Sequence, residues 1–117
     1  MEEQAIIDMP TYNELKELMG ADFAVELIDT YNIETGALIE QLGQALTSGD
    51  VAVFGRCAHS IKSSSASLGA LALSQKAREL EMMGKANDLT GAGQKVEKLE
   101  TDFLLVKQFL EELRNEP

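Results

Sequence analysis

Along most of the chain, apolar residues recur three and four positions apart, the spacing that lines one side of an α-helix. The cleanest run is Val96, Leu99, Phe103, Val106 and Leu110, which predicts a last helix. An earlier run, Phe23, Leu27, Ile28, Tyr31, Leu38, Leu42 and Ala45, predicts a long helix from about Asp22. Gly36 and Gly43 interrupt it, each costing about 1 kcal/mol relative to Ala. Thr47-Ser48-Gly49-Asp50 reads as a turn, with Asp50 placed to cap a third helix from about Val51 to Ser67. The Leu68-Gly69-Ala70 step breaks that helix. A fourth follows, carrying Leu71, Ala77, Leu80 and Met83 and stopping around Gly84, and Asn87–Gly93 reads as a loop. Near the start, Thr11-Tyr12-Asn13-Glu14 has the pattern of a capping box, with Thr11 at the N-cap. A short helix should run from there to about Met19, with Gly20 as its stop. The expected fold is all-α: an antiparallel up-down-up-down four-helix bundle with a short extra N-terminal helix. Residues 1–10 read as a lead-in and residues 11–115 as a single domain.

Composition narrows the possible partners. The chain has 117 residues, enough for one core. Its only prolines are Pro10 and Pro117, which suits long helices. Twenty acidic residues against ten basic ones give a net charge of −10, which argues against nucleic acid or an anionic membrane as partner. One cysteine, Cys57, and one histidine, His59, exclude the common Cys/His zinc sites, and no calcium-loop pattern occurs, so no metal site is expected. The acidic start Met1-Glu2-Glu3 is unlike a secretory leader, and no apolar run reaches the roughly 18 residues of a membrane span. A cytoplasmic setting is the expectation. No helix is apolar all round, so a monomer is expected.

The candidate chemistry lies on the third helix. At about 100° per residue, Phe54, Cys57, Ala58, Ile61, Ser65 and Leu68 fall on one side and form its inward face. His59 then points about 150° away from the centre of that face and should be exposed. Its outer-face neighbours are Ala52, Gly55, Arg56, Lys62, Ser63 and Ala66. Gly55 and Ser63, one turn away on either side, are small. A glycine inside a helix invites a reason, and close approach by a partner protein is one. Residues 51–78 contain no Asp or Glu, but do contain Arg56, Lys62, Lys76 and Arg78. Carboxylates there would repel a phosphoryl group, whereas Lys62, at i+3 from His59, can steady phosphate oxygens as a mobile point charge. An imidazole titrates at about 6.5 in water, so near neutrality its nucleophilic form is well populated. A ring nitrogen can attack phosphorus and later leave. Ser63, Ser64, Ser65 and Ser67 read as small packing residues, since no second histidine could act as their base. Cys57 reads as an inert core residue and the methionines as gap fillers.

The segment Ala58-His59-Ser60-Ile61-Lys62-Ser63-Ser64-Ser65-Ala66-Ser67-Leu68-Gly69-Ala70 resembles the signature of histidine-containing phosphotransfer (HPt) domains. Leu73, Ala77 and Leu80-Glu81 continue the resemblance. It implies that His59 accepts a phosphoryl group and that Lys62 supports the phosphate. Ser63 stands where the family usually has glycine, and its hydroxyl could reach the imidazole or crowd a docking partner. Glu81 falls at a Gln/Glu position of the following helix. The resemblance further implies a phosphotransfer intermediate without kinase activity of its own. Consistently, the chain has no Gly-rich phosphate loop. Its partners would be receiver domains of response regulators or a hybrid sensor histidine kinase. A receiver would dock over Ala52, Gly55, Arg56, Ser63 and Ala66 and bring the aspartate and Mg²⁺, so no cofactor is expected on this chain. The alternative is a receiver-binding or structural four-helix adaptor that transfers no phosphate.

Overall fold

The computed structural model describes residues 6–116, so the Met1-Glu2-Glu3 start and the first half of the 1–10 lead-in lie outside the described residues. Five helices follow one another: α1 (Met9–Met19), α2 (Ala21–Ser48), α3 (Val51–Leu68), α4 (Leu71–Lys85) and α5 (Ala92–Arg114). Helices α2 to α5 form the bundle. Each packs on its neighbour in the chain, and α5 closes the ring against α2. Helix α1 lies across α2 and α3. This is the expected all-α architecture.

The capping signals act where the pattern placed them, with one exception. Asp50 caps α3, its carboxylate accepting the backbone N–H of Val53 at 3.2 Å. Gly49, in the left-handed region, ends α2. The exception is α1, which begins two residues before Thr11. Its N-cap is Asp8, whose side chain accepts from both the backbone N–H and the hydroxyl of Thr11. Pro10 sits in the first turn, where a missing N–H costs nothing. Thr11 is thus a partner of the cap and not the cap itself. Helix α5 likewise starts at Ala92, inside the segment expected to be loop.

Residues 7 and 8, just before α1, are tied to the bundle. Ile7 is buried, and the Asp8 N–H donates to the carbonyl of Gly69 at 2.7 Å. Gly69 ends α3 at φ 95°, and a Cβ there would lie 2.8 Å from the Asp8 carbonyl oxygen. Both facts require glycine at the α3–α4 corner.

The core follows the predicted faces of α3 and α5. Phe54, Cys57, Ala58, Ile61, Ser65 and Leu68 are the buried residues of α3, and Val96, Leu99, Phe103, Val106 and Leu110 are all buried on α5. On α2 the buried line is Ala24, Ile28, Tyr31, Thr35, Ile39, Leu42 and Ala45. Phe23, expected inside, is exposed, and Leu27 and Leu38 are only partly covered. Leu71 of α4 is also exposed. Inside the bundle the Tyr31 hydroxyl and Ser65 Oγ are hydrogen-bonded at 2.8 Å, which satisfies two polar groups in an apolar setting. Burial pushes the Tyr31 phenol up to about 12. Ser65 is therefore a packing residue with a partner.

Candidate functional site

His59 stands on the outer face of α3, its side chain 58% exposed. The same helix turns its apolar side inward, so burying Phe54, Cys57 and Ala58 is what holds the imidazole in solvent. Helix α4 runs antiparallel beside it and contributes the partner. The carboxylate of Glu81, only 7% exposed, accepts from His59 Nδ1 at 2.7 Å through Oε2 and from Lys62 Nζ at 2.6 Å through Oε1. Lys85, one turn along α4, brings its Nζ within 3.7 Å of Oε2. A buried carboxylate would normally resist ionisation. Here the Lys62 hydrogen bond outweighs desolvation, the His59 bond adds to it, and the Glu81 pKa falls from 4.5 to about 2. Glu81 is therefore an acceptor only at neutral pH, and the proton of the bond must reside on Nδ1. That tautomer leaves the lone pair of the neutral ring on Nε2.

Two shallow depressions lie along α3, and His59 lines one of them. One, of about 460 Å³, lies over the α3–α4 seam and is lined by Ala52, Gly55, Arg56, His59, Glu81 and Lys85, among others. The second, of about 600 Å³, lies between α2 and α3 and is lined by Leu27, Tyr31, Glu34, Leu38, Gln41 and Leu68, among others. Ser60 borders both. Among the described residues, no cluster of three or more His, Cys, Asp or Glu is placed to hold a metal ion. Among the same residues, no helix is long and apolar enough to cross a membrane.

The residues singled out from sequence divide into groups. His59 and Lys62 meet at one carboxylate, and Ala52, Gly55 and Arg56 line the depression beside them. Ser63 and Ala66 are exposed on α3 but line neither depression. The imidazole is held by Glu81 and not by the Ser63 hydroxyl. Lys62 is not a free charge, since it is paired with Glu81. Lys76 belongs elsewhere, paired with Asp102 of α5 at 2.6 Å. Gly55 packs its backbone against Gly84, and the tightness of that contact rests on Gly84, since a Cβ at position 55 would meet the Gly84 Cα at an ordinary 4.0 Å. The acid-free stretch 51–78 does not make an acid-free site: α4 delivers a carboxylate straight to the histidine. In the sequence alone the role of Glu81 stays open, and Lys85 and Gly84 carry no motif. Their signal was available only as i+4 and i+3 neighbours of Glu81 on α4.

Comparison with known proteins identifies the family and the fold. The pattern of the Hpt domain family matches residues 26–116. A solved structure, that of histidine-containing phosphotransfer protein B (HptB) from Pseudomonas aeruginosa PAO1, superposes with a TM-score of 0.90 at 28% sequence identity, covering 96% of each chain. No curated protein sequence matches the chain.

Proposed function

The chain belongs to the Hpt domain family of two-component signalling, and on that premise we propose that His59 is its phosphoryl acceptor, exchanging the group with the aspartate of a receiver domain. The observation that carries this reading is the Nδ1–Glu81 bond, which leaves the nucleophilic lone pair on Nε2 of an exposed imidazole. In transfer from a receiver, Nε2 attacks phosphorus as the N–P bond forms. The P–O bond to the partner's carboxyl group breaks, and the carboxylate leaves. Glu81 stabilises the ring's growing positive charge through Nδ1–H. Lys62 and Lys85, held near the ring by the same carboxylate, screen the phosphate oxygens in transit. The reverse transfer uses the same groups.

A receiver would cover the two depressions along α3, resting on Ala52, Gly55 and Arg56 on one side, with Ser63 and Ala66 further along the helix. The Mg²⁺ needed for aspartyl phosphate chemistry would come with the receiver. The test is transfer of labelled phosphate from a phosphorylated receiver to the wild-type chain and to Lys62→Ala. The expected result is acid-labile, base-stable label on the wild type, and slower labelling of the variant with an unchanged fold.

A further inference from the structure

The His59–Glu81 bond spans two helices, so its length depends on how closely α3 and α4 approach. Two close contacts lie along that approach, one on each side of the bond. On one side, Gly84 of α4 meets Gly55 of α3, one turn from Glu81 and His59 respectively. A Cβ on Gly84 would lie 3.0 Å from Gly55 Cα, 3.3 Å from its nitrogen and 3.6 Å from the Val51 carbonyl oxygen. These are backbone atoms of a helix, which cannot swing aside as a side chain would. On the other side, Ser74 Oγ of α4 donates to the carbonyl of Lys62 at 2.8 Å. The three pairs, 55 with 84, 59 with 81 and 62 with 74, follow one another in antiparallel order along one seam.

Resting on the reading of His59 as the acceptor, we infer that Gly84 is a positioning residue for phosphoryl transfer, with Ser74 as its counterpart at the other end of the seam. Gly84 touches no reacting atom. Its missing side chain lets α4 lie against the backbone of α3, and so lets the carboxylate of Glu81 reach Nδ1 and fix the ring tautomer. Any side chain at position 84 must move α4 outward by a few tenths of an ångström or more, and the first contact to lengthen is the short bond one turn away. Helix propensity predicts the opposite sign for stability, because alanine is the better helix former. Steric placement and propensity therefore separate. Gly43, inside α2 with nothing within 4 Å of a Cβ, supplies the control.

His59 is the only histidine in the chain, so ring ¹⁵N spectra report one imidazole. The experiment compares wild type, Gly84→Ala and Gly43→Ala at a pH above the imidazole titration. It reads the ratio of Nδ1–H to Nε2–H tautomers, together with the rate of phosphorylation by the small donor phosphoramidate, which needs no docking. In the wild type the Nδ1–H form dominates. Gly84→Ala lowers the ratio by about threefold or more, as expected when a charge-assisted bond is stretched, and slows phosphorylation in step. Gly43→Ala leaves both readings at wild-type values. A wild-type tautomer ratio in folded Gly84→Ala overturns the inference. Should that variant not fold, Ser74→Ala decides: a lowered ratio supports the seam as the positioning device, and an unchanged one overturns it. If the ratio shifts but the wild type accepts no phosphate, the positioning stands and the functional reading falls.

Discussion

Two carboxylates in this molecule are each held by cations across a pair of helices, and they illustrate opposite uses of the same chemistry. Asp29 of α2 takes a two-pronged grip from Arg114 of α5, at 2.6 Å through Nε and 2.9 Å through the second guanidinium nitrogen. Glu81 of α4 takes Lys62, His59 and Lys85. By bond length alone the Arg114 pair is as good. It lies at the surface, however, with Asp29 46% exposed, so water competes for every bond and salt screens the charges. Glu81 is 7% exposed. It cannot turn to water, so its geometry is fixed by its donors, and a fixed acceptor can in turn fix a histidine. Burial separates a surface tie from a positioning group.

Removing the buried carboxylate should have the largest effect. Glu81→Ala should slow transfer from a phosphorylated receiver by about tenfold to a hundredfold, corresponding to the loss of one charge-assisted hydrogen bond. It should also lower stability by about 1–2 kcal/mol, because Lys62 can still reach solvent. Single-turnover transfer and denaturant titration measure the two. Lys62→Ala comes next, with transfer slower by about tenfold and the far-ultraviolet circular dichroism spectrum unchanged.

Acid gives a third test of the contrast. The Glu81 pKa is lowered on folding from 4.5 to about 2. Its contribution to stability is therefore fully present above the unfolded value and is lost as pH falls through the folded one. Between pH 4.5 and about 2 the wild type should lose stability faster than Glu81→Gln, which has no proton to gain there. Parallel stability curves for the two proteins would contradict the buried, ionised carboxylate. The smallest effect belongs to the surface pair: Asp29→Asn should leave transfer rates unchanged and shift the melting temperature only slightly.

The sequence carried the faces of the helices further than their mutual registry. On α3 the apolar spacing gave all six buried residues, because an 18-residue helix with one apolar stripe has one way to face a core. The Asp50 cap was legible because capping is local. Helix α2 was harder. It is 28 residues long, with apolar residues on two adjoining lines, and only its neighbours decide that Ala24 and Ile39 are inside while Phe23 is not. The cap of α1 was missed because Asp8 and Thr11 both carry capping chemistry, and the tie from the Asp8 N–H to Gly69 favours the earlier start. His59 and Lys62 were legible from their exposed positions one turn apart. Glu81 lies 22 residues from His59, and Gly84 acts through a backbone contact, so neither role follows from periodicity along one helix.

All of this serves one claim, that the exposed imidazole of His59 carries the phosphoryl group. The most direct measurement offers phosphorylated receiver to the wild type and to His59→Gln under identical conditions and counts the label on each. The account predicts acid-labile, base-stable label on the wild type and none on the variant. Equal label on His59→Gln would contradict it.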